Sequence, residues 1–306
     1  MSAQQTRVLP YGPEAIGEAA ALIAAGQLVA MPTETVYGLA ADARNGEAVA
    51  RIYEAKGRPS FNPLIVHVPG IPEARSIGAF DAQAEALAER HWPGPLTLVV
   101  PLREDAGIAT LVTAGLPTIA LRAPAHPAMR DLLAASGSPL AAPSANASGR
   151  ISPTRAAHVL ASLAGRVPLI VDGGATAHGL ESTIVAATGG ALRLLRPGPI
   201  DLGRTAGEGS GIEAPGQLAS HYAPAKPLRL DAHSAEPDEW LIGFGQVAGD
   251  ATLSAAGDLV EAAANLFQRL HEAEASAAAR IAVAPLPGEG LGAAINDRLR
   301  RAAAPR

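Results

Sequence analysis

The chain has 306 residues, enough for about two domains at the usual ~150 residues each. Its 48% hydrophobic and 17% charged content excludes an intrinsically disordered chain, and the lack of cysteine removes disulfides, thiol nucleophiles and thiolate-bound metals together. A net charge of -5 and a pI near 5.9 argue against a general nucleic-acid coat, which carries a strong basic excess, while leaving room for a local basic cleft.

Through the first two thirds, helical signals and short apolar strands alternate, the pattern of an α/β domain. Helices are expected at 14–25, 47–55, 82–90, 127–135 and 153–163, and strands at 28–31, 64–68, 96–100, 118–122, 169–172, 183–187 and 192–196. Ser152 before Pro153 reads as an N-cap with a first-turn proline, and Gly165 as the stop. Several connections are too short for a crossover helix, so the sheet is expected to be mixed rather than purely parallel. After Pro199 the stretch GRTAGEGSGIEAPGQLASHYAPAKP reads as a linker, and beyond it strands at 228–230, 240–244 and 280–283 with helices at 259–272 and 291–303 describe a small second α/β unit. No apolar run approaches the ~18 residues of a membrane span and the N-terminus lacks a signal-peptide pattern, so a soluble cytoplasmic protein without a membrane partner is expected.

Four segments between apolar strands collect polar groups. PTETVYGLAAD (32–42) brings hydroxyls and a carboxylate near a strand end, although alone it reads as a helix-capping turn. EAKGRPSFNPLIVH (54–67) carries Lys56 and Arg58 at a helix C-terminus, where cations also simply oppose the macrodipole, with Asn62 and His67 flanking the next strand. Lys56 is one of only two lysines among 24 basic residues, a hint that a compact ammonium is wanted there. PLAAPSANASGRISPT (139–154) reads as a loop whose backbone amides suit anions, and it offers Ser144 and Asn146. The last segment runs from Asp172 through HGLESTIV to LLRPGPI, offering Ser182, Thr183 and Arg196, while Arg122 ends another strand as a carboxylate or phosphate clamp. Together these describe a cationic, hydroxyl-lined pocket.

Other chemistries find no support. No GxxxxGK[ST] loop, GxSxG elbow or HExxH pair is present, and Gly243, Gly245 and Ala248 match a relaxed dinucleotide pattern without a helix following at once. His91, His158 and His233 read as surface or packing residues.

PTETVYGLAAD, KGRPSFNPLIVH, WPGPLTLVV, PSANASG, GLESTIV, RPGPI and APGQLASHYAPAKP, in that order and with the KxR and SxN pairs intact, resemble the Sua5/YrdC/YciO family in its longer Sua5 form. The resemblance implies a YrdC-like catalytic domain at 1–203 with a twisted mixed sheet and flanking helices, an interdomain linker or lid at 204–227, and a small Rossmann-like Sua5 domain at 228–306. It implies synthesis of threonylcarbamoyl-AMP from L-threonine, bicarbonate and ATP, with Mg²⁺ carried by the nucleotide. The product would pass to a tRNA threonylcarbamoyl transferase complex that modifies adenosine 37, and a weak tRNA contact would accompany that role. Lys56, Arg58, Asn62, Thr118, Ser144, Asn146, Ser152 and Arg196 would form the ATP site, joined by His221 and Tyr222 when the linker closes. Lys56, Arg58, Ser144 and Asn146 would be the catalytic set, and Thr35, His67, Arg122, the Ala142 backbone and Ser182 would hold threonine. The competing readings are an RNA-binding module without ATP turnover, which the acidic balance and 3% aromatic content oppose, and a carbamoyl-adenylate enzyme of metallocluster maturation, whose acylphosphatase-like and zinc-binding segments are missing.

Overall fold

The computed structural model describes residues 5–203 and 213–305. The larger unit runs β1 (Arg7–Pro10), α1 (Pro13–Ala24), β2 (Val29–Met31), β3 (Gly38–Asp42), α2 (Gly46–Lys56), β4 (Ile65–His67), α3 (Ile71–Ile77), α4 (Ala82–His91), β5 (Leu96–Pro101), α5 (Thr110–Thr113), β6 (Thr118–Arg122), α6 (Pro127–Ser136), β7 (Leu140–Ala141), α7 (Ala156–Leu163), β8 (Leu169–Asp172), β9 (Thr183–Ala186) and β10 (Arg193–Arg196). Among the described residues these ten strands form one sheet in the order β1-β8-β2-β3-β7-β4-β6-β5-β9-β10. The pairs β1/β8, β8/β2, β4/β6 and β5/β9 are parallel and the others antiparallel, the mixed sheet that the short connections required.

Local chemistry fixes the element that carries the KxR pair. Asn45 caps α2 by accepting from the amides of Glu47 and Ala48, and Gly57 closes it at φ 59, a left-handed conformation that costs glycine little. Lys56 therefore ends the helix and Arg58 starts the loop beyond it.

Three expectations are corrected. Helix α7 starts at Ala156 rather than 153, because the Pro153 carbonyl accepts from the Tyr37 amide (2.8 Å) and the Thr154 carbonyl from the Thr176 amide (3.1 Å), which holds this stretch extended. Ser152 is thus no N-cap. PTETVYGLAAD caps no helix; it turns from β2 into β3, which pair antiparallel with Met31 opposite Gly38. In the loop at 144–150 most amides are already taken, which narrows what it offers an anion: those of Ala145, Asn146, Ala147, Ser148 and Arg150 donate to Tyr37 O, Ser144 O, Ser162 Oγ, Lys56 O and Ala147 O.

The smaller unit holds β11 (Leu228–Arg229), β12 (Glu239–Gly243), β13 (Ala251–Thr252), α8 (Leu259–Ala275), β14 (Arg280–Val283) and α9 (Leu291–Ala303). Its sheet, β11-β14-β12-β13, is wholly parallel and Rossmann-like. After Gly243 the chain passes to β13 and not into a helix, so the glycine pattern there is no dinucleotide loop. The core of this unit takes in Val36, Ile151 and Leu180 of the larger one, packed with Phe267 and Ile295. At Gly179, φ 65, an added Cβ would lie 2.4 Å from the Ala263 carbonyl on α8, so this contact needs a residue without a side chain. Among the described residues no helix is long and apolar enough to cross a membrane.

Candidate active site

The polar segments meet around a cavity walled by the 33–36 turn, β4, the Arg122 end of β6, the 142–144 segment, and the stretches around Ser182 and Arg196. Ile65 and His67 lie two residues apart on β4 and so share the face turned to it. Pro215, Gly216, His221 and Tyr222 form its roof and leave about 40 Å³ of free space. Gly216, at φ 87, lies so close beneath Tyr222 and Arg196 that a Cβ would sit 2.5 Å from the tyrosine hydroxyl and 2.9 Å from Arg196 Cδ. Residues 204–212 of the expected linker lie outside the described residues.

Every buried Lys or Arg among the described residues is in or against this cavity: Lys56, Arg58, Arg122, Arg196 and Arg298. They fall into two kinds. Arg122 meets Glu34 at 2.6 Å through Nη2, donates to Thr35 Oγ1 at 2.9 Å through Nη1 and to the Gly94 carbonyl at 3.3 Å. Arg298 meets Glu181 at 2.8 Å. The other three touch no carboxylate. Arg58 donates to the carbonyls of Asn62 (3.2 Å) and Pro63 (2.9 Å), and Arg196 to the Ser182 carbonyl (2.9 and 3.1 Å) and hydroxyl (3.1 Å). Lys56 ties together the carbonyls of Ser144 and Asn146.

The electrostatics follow from this split. Burial, reinforced by Arg58, lowers the Lys56 ammonium well below its ordinary range, and burial with Arg196 nearby draws Arg58 down to about 10. Burial alone would raise the Glu34 carboxyl, but the Arg122 charge beside it prevails and holds it at about 2. Burial and then Arg122 keep His67 neutral down to about 3.

Of the residues expected in the site, Thr35, Arg58, His67, Arg122, Ala142, Ser144, Ser182, Arg196, His221 and Tyr222 line the cavity. Lys56, Asn62 and Asn146 are buried behind the wall, Ser152 is fully buried and donates to Glu181, and Thr118 starts β6 four residues before Arg122, away from the cavity. Both His67 nitrogens, Asn62 Oδ1, Asn146 Oδ1 and the Tyr222 hydroxyl are buried without a hydrogen-bond partner. The sequence offers the Glu34 carboxylate in the 32–42 segment without giving it a role, and Glu181 and Arg298 are missed in it altogether. Glu181 stood next to Ser182 in GLESTIV. Arg298 falls on the buried stripe of α9 with Ala294, Ile295 and Ala302, and a charge on an apolar helical stripe signals a buried partner.

The fold and cavity define a two-unit α/β protein with a buried cationic site roofed by the segment joining its units. The family model described as "Telomere recombination", for Sua5, YciO and YrdC proteins, matches residues 21–198, and the one described as "Threonylcarbamoyl-AMP synthase, C-terminal domain" matches residues 180–304. The chain belongs to the Sua5/YciO/YrdC family. It is 41% identical to the threonylcarbamoyl-AMP synthase of Bacillus subtilis, covering 94% of this chain and 92% of that one, and 38% identical to that of Pyrococcus abyssi, covering 93% and 92%. The crystal structure of P. abyssi Sua5 complexed with L-threonine superposes with a TM-score of 0.88 at 36% identity over 97% of each chain. Escherichia coli YciO shares the fold of the larger unit, with a TM-score of 0.56 at 21% identity over 65% of this chain.

Proposed function

We propose that the protein is a threonylcarbamoyl-AMP synthase, joining L-threonine, bicarbonate and ATP into threonylcarbamoyl adenylate and pyrophosphate. The observation that carries this reading is the set of buried cations without carboxylate partners, Lys56, Arg58 and Arg196. Burying such charges costs several kcal/mol each unless an anion meets them, so the site gains most from a dense polyanion such as a triphosphate. The names of the relatives supply the reaction.

In that reaction the amine of threonine attacks the carbon of bicarbonate, water leaves, and a carbamate oxygen then attacks the α-phosphorus as the bond to pyrophosphate breaks. No side-chain nucleophile is needed. The chain's task is to align the two substrates, exclude water and oppose charge that grows on phosphate oxygens. Arg58 and Arg196 face the phosphates in this assignment, while Lys56 fixes the carbonyls of the loop bearing Ser144 and Asn146. The unpartnered atoms of Asn62 and Tyr222 are free for the nucleotide, which Ser152 supports through Glu181. Thr35, His67, Arg122, Ser182 and the Ala142 backbone serve threonine; the place of Thr118 rests on the resemblance alone.

Magnesium enters as part of the substrate, MgATP. The described cavity wall holds one carboxylate, Glu181, and both its oxygens already accept, from Ser152 and Arg298. The division into 1–203, 204–227 and 228–306 belongs to the same reading, with the joining segment as a lid. Ligand pockets usually need ~300–1,000 Å³, so the roof has to lift before ATP enters. The product feeds a tRNA threonylcarbamoyl transferase in the cytoplasm, where tRNA is modified.

The test is mass spectrometry of the adenylate formed from ATP, with threonine and bicarbonate each present or omitted. Pyrophosphate release that ignores both omissions would remove the assignment.

A further inference from the structure

The last helix of the smaller unit reaches into the site of the larger one. Arg298 on α9 is fully buried. Its Nε donates to Glu181 Oε2 at 2.8 Å and its Nη1 to Asp297 Oδ2 at 2.8 Å, its Cζ lies 5.2 Å from the centre of the Tyr222 ring, and its Nη2 is buried without a partner. The other oxygen of Glu181 accepts from Ser152 Oγ. One guanidinium therefore touches both the wall of the cavity, through Glu181, and its roof, through Tyr222.

The roof depends on α9 at further points. The His221 amide donates to the Arg301 carbonyl at 3.1 Å, and Arg301 Nη1 donates to the Leu218 carbonyl at 2.8 Å. Tyr222 itself adopts φ 62, a left-handed conformation unfavourable for a residue with a side chain, which has to be imposed by its surroundings. Those surroundings are Arg298 on one side and Phe267 of α8, 5.8 Å away between ring centres.

A buried ion pair is a poor stability device, since an apolar residue of equal volume often packs as well or better. An apolar residue at 298, however, could not hold a carboxylate and an aromatic face at once. We infer that Arg298 is a positioning residue for adenylate formation: it fixes Glu181, and with it Ser152, on the nucleotide side while setting the Tyr222 ring over the same cavity, so that the site is incomplete without the C-terminal unit. The inference rests on the ATP-using reading given above.

The test uses the full-length chain with ATP and threonine varied separately. Arg298→Met should raise the KM for ATP at least tenfold and leave the KM for threonine within twofold. Arg298→Lys, which keeps the charge but loses the fork and the flat face, should recover part of the loss. Glu181→Gln should act on the same substrate, and the Glu181→Gln/Arg298→Met double variant should be no worse than Arg298→Met. A residue that only braces the fold would lower the melting temperature, leave both KM values within twofold and add its effect to that of Glu181→Gln; that outcome overturns the inference. If Arg298→Met does not fold, Arg298→Lys and Glu181→Gln carry the same comparison. Equilibrium binding of labelled ATP to the wild type and to Arg298→Lys separates the two readings: wild type that binds ATP but forms no adenylate defeats the assigned reaction alone, while unchanged ATP affinity in the variant defeats the role of Arg298 alone.

Discussion

At one end of the cavity Arg58 and Arg196 donate only to carbonyls and a hydroxyl, whereas at the other Arg122 closes on the Glu34 carboxylate and the Thr35 hydroxyl. Both arrangements bury guanidiniums almost completely. They differ in what they ask of a ligand. An unpaired buried cation is costly until an anion meets it, so on the proposed reading charge recruits the nucleotide. A cation already neutralised by Glu34 attracts weakly but points in a fixed direction, so on the same reading the amino acid is selected by geometry.

Replacement of the two kinds of arginine should break the comparison most forcefully. Arg58→Met should cut threonine- and bicarbonate-dependent pyrophosphate release by about 10²–10³, the scale of losing one preorganised charge-stabilising donor. Its melting temperature should hold or rise, because no carboxylate is orphaned. Arg122→Met should do the reverse in stability: it strands Glu34 and should cost about 3–5 kcal/mol in denaturant unfolding, much of which Glu34→Gln added to it should return. Equal destabilisation by both single variants would mean that the two ends are not different in kind.

A smaller effect sharpens the same contrast. His67, at the Arg122 end, stays neutral to about 3 against an ordinary 6.5, and Glu34 stays charged to about 2 against 4.5. Both folded values lie below the unfolded ones, so both groups stabilise at neutral pH and lose that contribution on acidification. For His67 the loss begins as pH falls through 6.5 and runs to about 3, at about 1.4 kcal/mol per pH unit; for Glu34 it runs from 4.5 to about 2. His67→Gln should therefore flatten the fall of melting temperature between pH 6 and 4.5. His221, pushed down by burial and then by Arg58, Lys56 and Arg196, belongs to the other end. Saturating MgATP should shrink the His221 share of the slope and spare that of His67. A slope indifferent to both His67→Gln and MgATP would contradict the assignment of these histidines to separate ends.

Much of this was legible in the chain before folding. A helix ending at Lys56 before Gly57 and the short connections that dictate a mixed sheet are both readable there. The polar segments converge because β4, β6 and β10 carry His67, Arg122 and Arg196 to one cavity. What escaped was pairing across long separations. Glu34 and Arg122 are 88 residues apart, Glu181 and Arg298 117, and no local pattern links them. β3 is hidden in the sequence because GLAAD is nearly apolar throughout and lacks alternation, having both faces buried. Ser152 looked like a cap because a serine before proline satisfies the local rule; its hydroxyl instead meets Glu181, which sequence spacing could not reveal.

The smallest expected effect concerns the roof. Gly216 packs beneath Tyr222 and Arg196, and its φ of 87 already disfavours a side chain. Gly216→Ala adds one carbon where the tyrosine hydroxyl and Arg196 Cδ stand, so the segment at 213–222 cannot settle fully without displacing the nucleotide end. At the threonine end only Ser182, whose carbonyl and hydroxyl Arg196 holds, feels that displacement, while Arg122, Glu34 and Thr35 are held by one another. kcat should fall roughly three- to tenfold, since closure excludes water rather than performing the chemistry, and part of the ATP consumed should be lost to hydrolysis without adenylate. Limited proteolysis of residues 213–227 should be faster in the variant, and ATP with threonine should protect it less than the wild type. Unaltered kcat and unaltered cleavage would show that the roof is a fixed wall, and that charge at the nucleotide end is presented without any closing step.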